Sequence, residues 1–262
     1  MSLSELEAAI LNKIDETIDH FSILIKTKSG DIAINACESI RAASMIKIPI
    51  LIEAYRQIER NLLDPETSVD IESEKKAGGA GVINYLTNVN GYSYQNLLEL
   101  MIIVSDNTAA NLLLEKIGVQ HVNKFAAEIG LYHTKIGRKF MDQKAIEKGR
   151  DNYTCAYDMV QLLSLIAEPN KIVNDDSRKQ MLRILYYQQF KQKLPAYLHE
   201  GDGIDFFHKT GELPGIEHDA AIISNKGDTI YAAILTQNWV NNGIGRDYIA
   251  DIGRLLINYL KN

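Results

Sequence analysis

The sequence predicts an α+β fold: one antiparallel sheet built from both chain ends, flanked by helices, with an all-α lobe inserted between them. Two observations predict it. Short apolar runs separated by turn signals, the mark of strands, stand only near the two ends of the chain. Between them the apolar residues recur at three- and four-residue steps, the mark of helices with one buried face. Burying a sheet face and several helix stripes in one chain is most economical when the ends pair and the lobe packs on them. This divides a single domain over 1–262 into an α/β part, about 1–43 and 204–262, and a helical lobe, about 44–203.

Leu3, Leu6, Ile10, Ile14 and Ile18 form the stripe of a first amphipathic helix. His20 to Lys28 then reads as a strand, Ser29-Gly30-Asp31 as a turn, and Ile32-Ala33-Ile34 as the start of a returning strand. Met45 to Leu62 is a long helical stretch ending near Asp64-Pro65. Further helices are expected from Ser93 into the run Met101 to Val104, over Asn107 to Ile117 and over Val119 to Ile129, the last two closed by Gly118 and Gly130. Gly137 to Tyr153 has no clean period and reads as a long loop. Thr154 to Ile166 and Ser177 to Tyr187 are helical again. Phe206 to Thr210, Asp219 to Ser224 and Thr229 to Gln237 are strands, and Tyr248 to Leu260 is a closing helix.

The charge balance narrows the function. Lys and Arg number 28 against 34 Asp and Glu, a net charge of −6. A nucleic-acid binder needs a basic footprint and a membrane-surface protein a polybasic one, so neither partner is expected. No apolar run approaches the roughly 18 residues of a membrane span. The N-terminus is acidic and amphipathic and lacks the basic start and apolar core of an export signal. A cytoplasmic protein and one whose signal was trimmed both remain open. Cys37 and Cys155 stand outside any CxxC and are expected as small buried side chains, one bridge being arithmetically open. The histidines show no metal-ligand spacing, and there is no phosphate loop or GxGxxG. No metal or cofactor is expected.

Three short motifs can carry chemistry. Ser44-Met45-Ile46-Lys47 opens an apolar helix directly after strands. Residues i and i+3 share one face of a helix, so the Lys47 amine can reach the Ser44 hydroxyl. A serine is a poor nucleophile without an adjacent base, and a lysine is a base only where burial or a second cation keeps it partly neutral. A second Ser-x-x-Lys, Ser73 to Lys76, lies in the charged run from Glu66, which reads as a solvated face. Ser105-Asp106-Asn107 precedes a helix and serves either as its N-cap or, functionally, as a proton shuttle (Ser105) with an amide donor (Asn107). Lys209-Thr210-Gly211 lies on the first late strand, as an exposed strand end or as the lining of a cleft. In the second case Lys209 gives positive charge, Thr210 a hydroxyl and Gly211 close backbone approach.

Ser-x-x-Lys, Ser-Asp-Asn and Lys-Thr-Gly in this order resemble the motif set of class A β-lactamases and penicillin-binding proteins. The order of helix, hairpin, Ser-x-x-Lys helix, helical lobe, late strands and final helix is similar to that family too, over essentially the whole chain. The resemblance implies a serine hydrolase acting on a β-lactam amide. Ser44 is then the acylated nucleophile, Lys47 its base partner and Ser105 the proton donor to the leaving nitrogen. Asn107 holds a substrate amide, and Lys209 and Thr210, followed by Gly211, bind the substrate carboxylate. The N–H groups of Ser44 and Glu212 form the oxyanion hole. His218 is placed as a second basic group near that carboxylate, or as a solvated histidine at a strand entry.

One position departs from the family. Arg138 and Asp151 fit the ion pair that closes the loop carrying the water-activating glutamate, which stands two residues after the Arg. Here that residue is Phe140. Asp142 and Glu147 are the carboxylates within the loop, and Asp142 is the expected substitute. Slow deacylation follows. A D-alanyl-D-alanine carboxypeptidase or esterase on the same fold, and a domain that is acylated by a β-lactam and stays so, are the alternatives. In each case the partner is a small β-lactam or peptidyl substrate, and a monomer is expected.

Overall fold

The computed structural model describes residues 1–72, 75–87, 89 and 91–261, so Ser73 of the second Ser-x-x-Lys lies outside the described residues. The chain opens with α1 (Leu3–Ile14), capped reciprocally by Ser2 and Glu5, and buries Leu6, Ile10 and Ile14. The predicted stripe runs on to Ile18, but the helix stops at Ile14. Thr17 leaves helical geometry, its hydroxyl donates to the Ile14 carbonyl at 3.2 Å, and residues 15–20 tighten into a 3-10 segment.

The hairpin of β1 (Phe21–Thr27) and β2 (Gly30–Ile34) follows. Strands β7 (Asp205–Leu213), β8 (Ile216–Asn225) and β9 (Asp228–Thr236) come from the far end of the sequence. Together they make one five-stranded antiparallel sheet in the order β2-β1-β9-β8-β7. The two chain ends meet where Ile23 lies opposite Ile234. Period-2 alternation divides the sheet into two buried faces. Phe21, Ile23, Ile25, Ile230, Ala232 and Ile234 pack on α1 and on α9 (Asn242–Lys261). Leu24, Ala220, Ile222, Tyr231, Ala233 and Leu235 face the helical lobe, with α7 (Ala156–Ala167) laid across them.

Between hairpin and late strands lie α2 (Lys47–Glu59), α3 (Tyr94–Ile103), α4 (Asn107–Ile117), α5 (Val119–Glu128), α7 and α8 (Asp175–Tyr186). Their stripes share one core with the inner sheet face. The lobe is mainly but not wholly helical. A ribbon pairs β4 (Ser68–Asp70) with β5 (Gly91–Ser93), and β3 (Ile40–Arg41) pairs with β6 (Tyr153–Thr154). The expected loop from Gly137 to Tyr153 holds a short helix, α6 (Gln143–Glu147). The last helix begins at Asn242 rather than Tyr248, because Asn242 anchors it to the sheet through the Leu213 and Ile216 carbonyls. Cys155 is buried as expected, but Cys37 is exposed beyond β2, and both thiols are free. Among the described residues no helix is long and apolar enough to cross a membrane, and no cluster of His, Cys, Asp and Glu is arranged to hold a metal.

Candidate active site

The three motifs converge between the sheet edge and the lobe. Ser44 does not open the helix but sits in a 3-10 turn, Ala43–Ile46, with α2 starting at Lys47. The chain enters this turn through Ala43 in the left-handed region, φ 46°. Side chains at i and i+3 eclipse in 3-10 geometry, and Lys47 Nζ lies 3.2 Å from Ser44 Oγ. Ser44 is half-buried and Lys47 fully buried.

Lys47 Nζ also donates to the Ser105 carbonyl at 2.6 Å and to Asn107 Oδ1 at 2.9 Å, and lies 3.1 Å from Ser105 Oγ. Burial, and then the nearby charge of Lys209, push the Lys47 amine well below the ordinary lysine value, against the opposing pull of Asp106. A neutral amine has two N–H donors and one lone pair. The Ser105 carbonyl and Asn107 Oδ1 can only accept, so they take both donors. The lone pair is then free for the proton of a serine hydroxyl.

Ser105 itself adopts φ 57°, rare for a residue with a side chain. This places its hydroxyl between two amines: Lys209 Nζ lies 2.9 Å from Ser105 Oγ and 2.7 Å from the Thr210 carbonyl. Burial, and then the charge of Lys193, lower Lys209 to about 7, with Asp219 opposing. Asp106 fills the N-cap role that the sequence offered for this motif: it caps α4, accepting from Ala109 N–H, and its other oxygen accepts from Val82 and Ile83 N–H. It thus ties the glycine-rich segment 78–81 to the site, where Asn107 Nδ2 donates to the Gly78 carbonyl. Among the third-motif residues, Thr210 and Gly211 are buried and Glu212 is exposed. A Cβ on Gly211 would stand 3.2 Å from Met45 Cγ and 3.3 Å from Ala43 Cβ, so the strand passes directly beside the turn that carries Ser44.

Two expected site residues are placed elsewhere. Asp142 caps α6, its Oδ1 accepting from Ala145 N–H at 3.0 Å. Its carboxylate is committed to a helix N-terminus, because that short helix offers unpaired N–H groups. His218 is fully buried within β8. Its Nδ1 lies 2.8 Å from the Glu217 carbonyl and 3.0 Å from the Thr236 N–H, and its Nε2 2.9 Å from the Arg41 carbonyl. Burial lowers this imidazole to about 4. It is a neutral strut between β3 and the sheet, neither a solvated histidine nor a second cation, although its ring lies against Gly211.

The loop that carries Phe140 is held at both ends. Arg138 pairs with Asp151 at 2.7 Å and Arg41 with the same carboxylate at 2.8 Å, while Asn152 Oδ1 accepts from Gly137 and Arg138 N–H. Burial pushes Asp151 up, but the Asn152 N–H and the two guanidiniums outweigh it and leave the carboxyl below its usual range. Asn111 on α4 grips Phe140 from both sides of its backbone, at 2.8 and 3.0 Å. The buried ring lies over Lys47, 4.4 Å from Nζ to the ring centre. Sequence reasoning missed Asn111, which sits one helical turn beyond Asn107 on the same face. It also missed Lys193, which lies with Lys191 in a segment without periodicity.

A serine beside a buried lysine, a second serine between two buried amines and a glycine-bearing edge strand are together the arrangement of a serine hydrolase. The chain belongs to the β-lactamase enzyme family, whose family model matches residues 4–260. A β-lactamase of Streptomyces fradiae is 31% identical over 123 residues, a stretch spanning 45% of this chain and 40% of that protein. The β-lactamase of Sphaerobacter thermophilus superposes with a TM-score of 0.90 at 27% identity, over 99% of this chain and 98% of its own. PBP-A superposes at 0.86 and 23% identity, over 98% of this chain and 96% of its own, a likeness of fold.

Proposed function

We propose that the protein forms an acyl-enzyme on Ser44 from a β-lactam amide and releases it slowly. What carries this reading is Lys47, a fully buried amine 3.2 Å from the Ser44 hydroxyl. Lys47 takes the Ser44 proton as Oγ attacks the carbonyl carbon. The Ser44 and Glu212 N–H groups receive the oxyanion. The leaving nitrogen takes a proton from Ser105, whose hydroxyl is recharged from the flanking amines. Lys209 and Thr210 bind the substrate carboxylate, and Asn107 its acyl amide.

Deacylation needs a base at the water, and the place next to Lys47 holds the Phe140 ring. This favours a persistent acyl-enzyme, so a penicillin-binding role on the same chemistry is the second reading. A mutant form of PBP-A forms an acyl-enzyme complex with penicillin G. Incubation with a fluorescent penicillin, followed by intact mass, tests both. Label on Ser44 that persists is expected. No label removes the β-lactam reading, and label that turns over within seconds removes slow deacylation.

A further inference from the structure

Behind the edge strand lies a buried cation that the chemistry above does not use. Lys193 Nζ donates to the Gly211 carbonyl at 2.8 Å and the His218 carbonyl at 3.0 Å, and pairs with Glu217 Oε2 at 2.6 Å. Lys193 and Glu217 are both buried. The segment that carries Lys193 is fixed from two sides. Leu194 N–H donates to Asp219 Oδ2 at 3.1 Å, and the Leu194 backbone lies so close to Gly253 of α9 that any Cβ there would collide with it. Glu217 in turn accepts from Asn242 Nδ2 at 3.0 Å through its other oxygen. The amine is therefore delivered to one spot on the strand, from the β8 side.

Gly211 pairs with His218 across β7 and β8, and β7 is the sheet edge. A peptide unit is planar and trans, so the carbonyl of one residue and the N–H of the next point in opposite directions. Holding the Gly211 carbonyl toward β8 turns the Glu212 N–H toward the free edge, where Ala43 and Met45 flank Ser44. A cation on the carbonyl also polarises the peptide and strengthens its N–H as a donor.

We propose that Lys193 is a positioning residue for the oxyanion hole: by gripping the Gly211 carbonyl it aims and polarises the Glu212 N–H toward the acyl oxygen on Ser44. This rests on the reading of Ser44 and Glu212 given above. Glu217 neutralises the cation without taking its place on the carbonyl.

The test is the infrared band of the acyl carbonyl in the penicillin G adduct, together with the rate of acylation and the melting temperature. The variant is Lys193→Met with Glu217→Gln, which removes both charges of the pair at once. The expected result is a band at higher wavenumber and acylation slower by about tenfold or more, a partial loss of one oxyanion donor. Lys193→Arg, which keeps the cation, is expected to retain the wild-type band. Should the double variant not fold, Lys193→Gln is expected to show a smaller shift in the same sense. A variant that folds and acylates at the wild-type rate with an unmoved band overturns the proposal and leaves the Ser44 reading standing. A wild-type protein that is never acylated on Ser44 overturns both, and a lowered melting temperature with an unmoved band makes Lys193 merely structural.

Discussion

The Nζ of Lys47 lies 4.4 Å from the centre of the Phe140 ring, so the amine within 3.2 Å of the Ser44 hydroxyl faces an aromatic surface. A ring face attracts a cation but can neither accept a proton nor orient water.

Phe140→Glu is therefore expected to raise deacylation. General-base assistance is worth about a hundredfold to ten-thousandfold, and a gain near the lower end is expected because the loop was not shaped around a carboxylate. Stopped-flow penicillin hydrolysis measures it: wild type gives a stoichiometric burst and a slow steady state, the variant a faster steady state. Asp142→Asn should alter neither phase, since asparagine caps a helix as well as aspartate. A slower second phase in Asp142→Asn would return Asp142 to the reaction.

Ser44→Ala should abolish covalent labelling by a fluorescent penicillin, and Ser73→Ala should leave it intact. Ser44 has a lysine amine within hydrogen-bonding distance, and that same amine reaches the Ser105 motif. Equal labelling in both variants would sink the assignment of the nucleophile.

Lys209 links activity to stability. Its amine is held at about 7 against an ordinary 10.5, by burial first and the charge of Lys193 second. Between those values the unfolded chain binds a proton that the native one does not, so stability rises with pH across that window. Below about 7 the full cost applies, on the order of 5 kcal/mol. Lys209→Met should thus be more stable than wild type in urea at neutral pH, with the difference shrinking toward pH of about 10. It should lose recognition of carboxylate-bearing substrates more than of neutral esters. An equal loss for both would assign Lys209 to the proton relay instead.

His218 acts at the acid end. It is held at about 4 by burial, against an ordinary 6.5. As pH falls through that interval the unfolded chain gains a proton that the native one refuses, and stability drops. The fall in urea midpoint on going from neutral to about pH 5 should be smaller in His218→Asn than in wild type. An unchanged fall would place the acid sensitivity elsewhere.

Much of this was legible in the sequence. Period-2 runs at both ends and helical steps between them marked out the sheet and the lobe, and three motifs named Ser44, Ser105 and Lys209 before any coordinate. What escaped has physical reasons. A spacing of i and i+3 is common to α and 3-10 turns, so it could not show that Ser44 precedes the helix. Residue type makes His218 a candidate cation, but its complete burial within the sheet, which disfavours the charged ring, depends on the fold and not on its neighbours in sequence. Phe140 was readable as a missing carboxylate but not as a ring over an amine, which depends on how Asn111 seats the loop. Lys193 bonds backbone carbonyls distant in sequence, and no local pattern announces such a partner.

The pairing of Ile23 with Ile234 sets the order in which the molecule can come into being on the ribosome. The early hairpin leaves the exit tunnel with one strand edge open, and its partner β9 is synthesised only after the whole lobe. Closing so long a loop is slow, since its entropy is lost before the pairing rewards it. Until then the open edge is a template for another nascent chain. Ser44, made early, has no cleft beside it until β7 arrives, late in synthesis. A chain stalled before Asp205 would carry the serine and its lysine but not the strand that completes their site.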